Sequence, residues 1–271
     1  MQSHFLAYRS SRIHYQLAGK GKQLLIAFHG YSDSSHSFDF LEDHIEDDFT
    51  FIAVDIPFHG KTDWKEGLTF EPVELIEIID AISKGFPQMH SKIYLLGFSM
   101  GGRIALSLLQ MIPAKIDKII LLAPDGLHIS KWYWLATQTG LGNALFRFTM
   151  KYPGWFFGMM HIGAKIKLIS PGVYKFSLSS LHDKELRESL YIRWTAMRRF
   201  TTNFKKIKTL VSINKIPMRL IYGEYDHIIR KQGGQKFRIG IEAYCHLLIL
   251  PCGHHILQEK NLQAIVRLIG E

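Results

Sequence analysis

Short runs of apolar residues alternate along this chain with longer segments in which apolar residues recur at helical spacing. Continuous apolar runs are typical of strands that are buried on both faces, as in parallel sheets. They lie at residues 23–30, 50–56, 92–99, 118–124, 218–224 and 246–253. Segments with helical spacing lie at residues 37–45, 71–86, 101–112, 235–244 and 257–271. This alternation predicts a mostly parallel sheet with crossover helices.

Two parts of the chain break this alternation. The segments HFLAYR and RIHYQLAG alternate between apolar and polar residues, which predicts an antiparallel hairpin around Ser10 and Ser11. Residues 126–210 show no clear strand pattern and are rich in aromatic residues, Met, Gly and basic residues. We therefore predict an α/β fold with a mostly parallel eight-stranded sheet flanked by helices. Residues 1–125 and 211–271 form its core, and residues 126–210 form a helical insertion after the sixth strand.

Composition narrows the class of protein. With 47% apolar and 21% charged residues over 271 positions, the chain is typical of a globular protein and not of a disordered one. Its first residues lack the apolar segment of a secretory signal, and no apolar run is long enough to span a membrane. A strand between Cys245 and Cys252 would hold the thiols roughly 20 Å apart, too far for a disulfide. We therefore predict reduced thiols and a cytoplasmic location.

Ser99 is the first candidate for chemistry. It lies between Gly97 and Gly101 in YLLGFSMGGRIALSLL, where a predicted strand runs into a predicted helix. A serine at such a sharp turn can act as a nucleophile if a histidine takes its proton, an acid orients the histidine and N–H donors hold the oxyanion. The alternative is that Ser99 is only a small residue in a tight turn.

The partners that Ser99 needs follow other predicted strands. Asp226 follows one strand and His254 and His255 follow the next, and loops at the carboxyl ends of parallel strands meet at one edge of the sheet. Asp125 is a second candidate for the acid. The backbone amides of Tyr31 and Met100 are candidates for the oxyanion hole. The alternative is that these are ordinary surface residues and turns.

Five segments resemble those of the α/β-hydrolase superfamily. HGYSDSS resembles its oxyanion loop, VDIPFHGKTD the loop after its fourth strand and GFSMGG its nucleophile elbow. GEYDHI resembles its acid loop and PCGHHILQEKN its histidine loop. The resemblance covers residues 23–124 and 211–271, and it places a cap, or lid, at residues 126–210. The sequence departs from the pattern at Phe58, where the family often has glycine, and near Arg230, where it often has proline.

The resemblance implies a triad of Ser99, Asp226 and His254. It favours His254 over His255, because the family's histidine directly follows the glycine and precedes an acidic residue, here Glu259, by five positions. It also favours Asp226 over Asp125.

We therefore predict a serine hydrolase that cleaves a carboxylic ester or thioester with an apolar acyl part through an acyl-enzyme. A serine at the elbow argues against epoxide opening and dehalogenation, for which the family uses aspartate. No metal-ligand spacing and no phosphate or dinucleotide motif is present, so we expect no metal and no cofactor. One alternative is a C–C bond hydrolase or lyase that acts on an anionic substrate with the same triad. Another is a binding module without catalysis.

The net charge of +9 is confined to the insertion. Residues 126–210 hold 14 basic and 3 acidic residues, whereas the rest of the chain holds 19 and 21. The excess basic residues either cover a solvated face, recruit an anionic or lipidic substrate, or make a peripheral contact with an anionic membrane. We predict no nucleic-acid binding, since no recognition module is evident. The basic residues include Arg193, Arg198, Arg199, Lys205, Lys206 and Lys208.

The insertion is also rich in large apolar side chains. We expect most of them to pack among the helices of the insertion and against the rim of the core, with a minority lining a pocket or an exposed lip. They include Trp132, Trp134, Trp155, Phe156, Phe157, Met159 and Met160.

Overall fold

A single mixed sheet organises the larger part of the molecule. The computed structural model describes residues 1–45, 48–86, 93–127, 131–168 and 181–271, with only the backbone at residues 131 and 132. Within these ranges, eight strands form one sheet in the order β1-β2-β4-β3-β5-β6-β7-β8. The strands are β1 (Gln2–Tyr8), β2 (Ser11–Ala18), β3 (Gln23–Phe28), β4 (Phe49–Val54), β5 (Ile93–Phe98), β6 (Ile116–Leu122), β7 (Met218–Gly223) and β8 (Cys245–Leu250).

The predicted architecture is confirmed. β1 pairs with β2 and β2 with β4 in antiparallel fashion, and all other neighbours are parallel. The apolar runs of β3 to β7 are largely buried as expected, and every residue of β4 is buried. The edge strand β8 differs, because only its Cys245 is buried and its four last residues are partly exposed. The register of the parallel strands aligns Phe28 with Gly97, Phe98 with Leu122, and Gly223 with Leu250. The loops that follow β3, β5, β6, β7 and β8 therefore leave the same edge of the sheet.

The helices are named in chain order. They are α1 (Glu42–Ile45), α2 (Pro72–Ser83), α3 (Met100–Met111), α4 (Lys131–Gln138), α5 (Gly140–Lys151), α6 (Gly154–Lys165), α7 (Lys184–Ala196), α8 (Phe204–Asn214), α9 (Lys231–Arg238) and α10 (Leu262–Gly270). The helix predicted at residues 235–244 thus begins and ends earlier. Gly234 lies within α9 and packs against the Tyr222 ring, where a Cβ would collide. Gly240 follows the helix and has φ +88°. The segment predicted at 37–45 is a 3₁₀ helix (Ser35–Leu41) followed by α1.

The chain divides into two compact units. The larger unit comprises Met1–His128 and Arg199–Glu271, and the smaller unit is Ile129–Arg198. The smaller unit therefore lies within the predicted insertion of 126–210, and α8 belongs to the larger unit. Four of the basic residues named above, Arg199, Lys205, Lys206 and Lys208, accordingly lie in the larger unit. There Arg199 pairs with Glu71 and Lys208 donates to the carbonyl of Ile239.

The smaller unit has its own aromatic and polar contacts. α5 packs against α4 and α7, and the Phe146 ring lies 5.5 Å from that of Tyr191 and 5.6 Å from that of Trp194. The buried Arg187 of α7 donates to the carbonyls of Met150, Leu181 and His182 at 3.0, 2.7 and 2.6 Å. Arg187 therefore ties α7 to the carboxyl end of α5.

The large apolar side chains of the smaller unit are more exposed than we expected. Met160 is buried and Phe156 and Phe157 are half-buried, but Trp134, Trp155 and Met159 are exposed. The side chain of Trp132 lies outside the described residues. Burial depends on which helix faces find a neighbour, and helical spacing alone does not specify this.

Two further sequence features can be placed in the fold. Cys245 and Cys252 are buried free thiols, and burial raises the pKa of Cys245 to about 12. Of the helices that lie in the described ranges, none is both long and apolar enough to cross a membrane.

Candidate active site

Ser99 occupies the turn between β5 and α3. Its backbone has φ 51° and ψ −114°, a strained conformation for a residue with a side chain. Glycines make so sharp a turn feasible, because a Cβ on Gly101 would collide with the carbonyl of Phe28 and one on Gly97 would lie 2.5 Å from the carbonyl oxygen of Gly101. The N–H of Ser99 donates to the carbonyl of Leu122 at 2.9 Å. These contacts hold Ser99 at the end of β5, with the residue partly exposed.

His254 connects Ser99 to Asp226. Its Nε2 lies 3.0 Å from the Ser99 Oγ, and its Nδ1 lies 2.8 Å from the Asp226 Oδ2. The Asp226 side chain is fully buried, whereas that of His254 is 14% exposed. The second carboxylate oxygen of Asp226 accepts the N–H groups of Ile228 and Ile229 at 2.7 and 2.8 Å. The Asp226 carboxylate therefore has hydrogen-bond partners at both of its oxygens.

The loops that carry Asp226 and His254 are joined through their backbones. Glu224 and Tyr225 donate N–H bonds to the carbonyls of Leu250 and Cys252, at 2.8 and 3.0 Å. Gly223 lies so close to Gly253 that a Cβ at residue 223 would collide with its carbonyl. The 28-residue separation between acid and histidine is thus bridged by adjacent strand ends of β7 and β8.

The other two candidates for acid and base lie elsewhere. The Asp125 carboxylate lies 3.5 Å from the Arg103 Nε, and its backbone N–H donates to the Ser99 carbonyl at 2.8 Å. Asp125 is therefore next to the elbow, but the structure pairs Asp226 with His254. His255 is exposed, with its ring 6.2 Å from that of His254 and 6.5 Å from that of Phe98.

The two predicted oxyanion donors lie in neighbouring segments. Met100 is the first residue of α3, where helical N–H groups have no partner within the helix. Tyr31 follows Gly30 in the loop after β3, and a Cβ on Gly30 would lie 3.0 Å from the ring of Phe98, the residue before Ser99. The contact of Gly101 with the end of β3 brings the two segments together at the elbow.

Asp55, for which the sequence suggested no role, forms a buried network beside this edge. Asp55 accepts N–H groups from Ser35 and Lys61 at 2.6 and 2.8 Å, and its Oδ2 lies 2.7 Å from the His14 Nδ1. Burial acts to raise the pKa of Asp55, but the hydrogen bonds from Ser35 and Lys61 and the nearby His29 outweigh burial and lower it. Its position directly after a buried strand, in VDIPFHG, was the available signal.

The network around Asp55 holds the loop after β4. Gly60 has φ +53° and lies against the Asp55 carboxylate, where a Cβ would collide. Thr62 donates its hydroxyl to the Asp55 carbonyl at 2.6 Å and accepts the N–H of His14 at 2.9 Å. The loop includes His59, whose ring lies 6.3 Å from that of Tyr31. Asp55 therefore supports the side of the site that carries Tyr31.

The described ranges hold no group of three or more His, Cys, Asp or Glu side chains that could bind a metal ion. The chemistry that the described site can supply is nucleophilic attack by a serine with proton transfer through a histidine.

The sheet and the strained serine at the end of β5 define an α/β-hydrolase fold. A family model described as "Serine aminopeptidase, S33" matches residues 19–261 of the chain. Because the match covers most of the sequence, the chain belongs to this family of α/β hydrolases and is an enzyme of that class.

Individual relatives are distant in sequence. An uncharacterized hydrolase of Bacillus subtilis, YugF, is 25% identical over 261 residues, which is 91% of this chain and 88% of the relative. A thermophilic esterase from Thermogutta terrifontis superposes with a TM-score of 0.69 at 15% identity, covering 100% of this chain and 98% of the esterase. A meta-cleavage product hydrolase from Pseudomonas fluorescens gives 0.64 at 16% identity, covering 98% and 97%. These structural likenesses show the fold.

Proposed function

We propose that this enzyme hydrolyses a carboxylic ester or thioester with an apolar acyl part. The observation that carries the proposal is the hydrogen-bond chain from the Ser99 Oγ through His254 to the Asp226 carboxylate. Each distance is short enough for direct hydrogen bonding and proton transfer. The strained backbone of Ser99 supports the same conclusion, since such strain is typical of functional sites.

The geometry supports a separate role for each of the three side chains. In the resting state the Nδ1–H of His254 donates to Asp226, which leaves Nε2 as acceptor for the Ser99 hydroxyl. As the Ser99 Oγ attacks the substrate carbonyl carbon, its proton passes to Nε2. The Asp226 carboxylate then stabilises the imidazolium and keeps the ring oriented.

The carbonyl oxygen of the substrate becomes negatively charged in this step. We assign its stabilisation to the N–H groups of Met100 and Tyr31, and loss of one such donor typically costs about 10²–10³ in kcat. When the intermediate collapses, the imidazolium gives its proton to the leaving alcohol or thiol. A water molecule, deprotonated by His254, then attacks the acyl-enzyme and releases the acid and free Ser99.

The substrate preference rests on the composition of the insertion. We propose that the smaller unit serves as the cap that selects the substrate, because it is inserted after β6 and is rich in apolar side chains. A pocket formed by such residues would favour an apolar acyl chain.

A fluorophosphonate probe tests the nucleophile. Intact-mass measurement should show one covalent adduct on the wild-type chain and none on Ser99→Ala, with p-nitrophenyl ester turnover lost in parallel. Ser107, which is buried in α3, offers a matched control. A Ser107→Ala variant should keep both the adduct and turnover. An adduct that persists in Ser99→Ala, or no adduct on folded wild type, contradicts the proposal.

A second candidate is hydrolysis of a carbon–carbon bond in an anionic substrate with the same triad. It is favoured by the similarity of the fold to that of the meta-cleavage product hydrolase. A panel of neutral esters of increasing acyl length and vinylogous diketo acids separates the two. Fluorophosphonate labelling without turnover of any ester, together with turnover of the diketo acid, supports the second candidate over the first.

A further inference from the structure

α5 and its neighbour α6 each expose a stripe of apolar side chains. Residues at positions i, i+4, i+7 and i+11 lie on one face of a helix. On α5 and the residue that follows it, these positions are Leu141, Leu145, Phe148 and Tyr152; on α6 and the residue that follows it, they are Trp155, Met159, Ile162 and Ile166. Each of these side chains is exposed, by between 43% and 85%. The two helices therefore repeat one pattern at an interval of 14 residues.

The same repeat places ionisable residues beside each stripe. Arg147 and Lys151 lie six and ten positions after Leu141, and His161 and Lys165 lie six and ten positions after Trp155. At about 100° per residue, these side chains lie roughly 80–120° around the helix from the stripe, on the same flank in both helices. Arg147, Lys151 and Lys165 are themselves exposed. Each helix thus presents an apolar stripe with a basic flank.

Acidic residues are absent from this part of the sequence. Between Asp125 and Asp183 the chain has six basic residues and not one Asp or Glu. A solvated protein surface usually interleaves both signs of charge. Exposed apolar side chains are thus surrounded by basic residues without any acidic ones. This combination is complementary to a surface that has an apolar interior and an anionic exterior.

We propose that α5 and α6 dock the enzyme on the surface of an anionic phospholipid bilayer. The two stripes insert among the acyl chains near the headgroups, and the basic flanks contact lipid phosphates. Tyr152 and Trp155, where α5 meets α6, are aromatic residues of the kind that lie at headgroup depth. Each helix has 12 residues and is too short to cross the bilayer, so the contact is peripheral.

A second copy of the chain fits this surface less well. A two-fold interface would bring the same patch of both copies together. The basic flanks would then face each other with no acidic residue of residues 126–182 to compensate, and like charges in contact disfavour association. An anionic bilayer compensates the same charges.

Vesicle co-sedimentation of the full chain tests the proposal. We expect binding to vesicles that contain phosphatidylserine, with weaker binding to phosphatidylcholine alone. Added salt should weaken the binding, because the attraction between exposed charges is screened. Absence of binding to the phosphatidylserine vesicles overturns the proposal, and so does equal binding to both vesicle types at every salt concentration.

Paired variants distinguish the contribution of the apolar stripes to binding from that of the basic flanks. The double variant Leu145→Asp with Ile162→Asp should lose binding to both vesicle types. Arg147→Glu with Lys151→Glu should weaken binding to the anionic vesicles by at least about tenfold, while binding to phosphatidylcholine changes little. Controls in the larger unit carry the same chemical changes: Ile213→Asp, at an exposed apolar position, and Lys205→Glu with Lys206→Glu. Both should bind as wild type does.

Two further measurements keep the result interpretable. The melting temperature of each variant should match that of wild type, since the changed side chains are exposed. Sedimentation velocity tests the second copy. A wild-type dimer that the stripe variant dissociates, without vesicle binding, would assign the stripes to self-association and overturn the proposal.

Discussion

The two units of this enzyme differ in how far their apolar side chains are buried. In the larger unit the apolar runs of β3 to β7 form strands that are largely buried, whereas the edge strand β8 is partly exposed. Among the described residues, twelve of the twenty large apolar side chains that are exposed lie in the smaller unit, although it is the shorter of the two. The three residues to which we assign catalytic roles, Ser99, Asp226 and His254, all lie in the larger unit. The exposed side chains of the smaller unit are those from which we propose that it contacts a bilayer.

We expect the largest effect from a change in the loops of the larger unit, on which catalysis should depend. Asp226→Asn should lower turnover of a p-nitrophenyl ester by about 10⁴, because the amide stabilises the wrong tautomer of His254. Asp125→Asn is the matched control, and we expect a far smaller loss, since Asp125 contacts Arg103. Steady-state kinetics with both variants checks the ranking. The reverse ranking would move the acid to the loop after β6.

A second prediction compares the contribution to stability of one phenylalanine from each unit. Phe51 is fully buried in β4, whereas Phe148 is half exposed on α5. Phe51→Ala should lower the free energy of unfolding by about 3–5 kcal/mol, because it removes buried apolar surface and leaves a cavity. Phe148→Ala should change it by no more than about 0.5 kcal/mol. Urea unfolding gives both values, and a large loss for Phe148→Ala would mean that the α5 stripe is covered within the folded monomer.

The third prediction concerns the buried carboxylate of Asp55. Its lowered pKa means that the ionised form stabilises the fold above the unfolded pKa, about 3.9, and that this contribution is lost as pH falls through the folded value. Asp55→Asn should therefore cost about 3 kcal/mol at neutral pH, and the gap to wild type should narrow in acid.

An exposed pair on the same unit provides the control for Asp55. Asp39 lies 3.0 Å from His36, and both side chains are about half exposed. Asp39→Asn should change the stability by less than about 1 kcal/mol. Urea unfolding from neutral to acidic pH measures both variants, and a gap that stays constant with pH for Asp55→Asn would contradict the assignment.

The smallest of these effects is local to the smaller unit. Arg187→Met leaves the buried carbonyl of Met150 and the partly buried carbonyls of Leu181 and His182 without their donor, which should cost about 2 kcal/mol. Hydrogen exchange of the amides in α5 and α7 should accelerate, while that of β3 to β6 stays unchanged. Lys184→Met, at an exposed position on the same helix, is the control. Faster exchange in the strands as well would show that the two units unfold as one.

Much of the larger unit could be predicted from its sequence. Strands buried on both faces leave continuous apolar runs, and the elbow leaves glycines at fixed spacing around Ser99. The position of Asp55 after a buried strand marks this residue, but its partner His14 is 41 positions away, so the network itself could not be predicted. The predicted helix began after Gly233 and Gly234, which have low helix propensity, whereas α9 includes both residues. Gly234 packs closely on Tyr222 there.

The smaller unit was predicted less well for a different reason. The absence of a strand pattern predicted a helical insertion but did not place the helices α4, α5 and α6. Helical spacing, moreover, fits both a face that packs on a neighbour and one that remains exposed. Which face is buried depends on contacts between helices, such as the Phe146–Trp194 contact in this unit. The acid-free stretch from 126 to 182 was already part of the charge imbalance, but the stripes on α5 and α6 became evident only from their exposure.

The backbone of Ser99 also constrains how this chain can evolve. Glycine adopts φ 51° without steric cost, so Ser99→Gly would release strain on the order of 1 kcal/mol. A lineage that kept the fold only as a binding module could gain this stability through a single codon change. Under the proposed function, the catalytic role of the hydroxyl group offsets this cost in stability. Inactive descendants of such an enzyme should be recognisable by glycine at this turn.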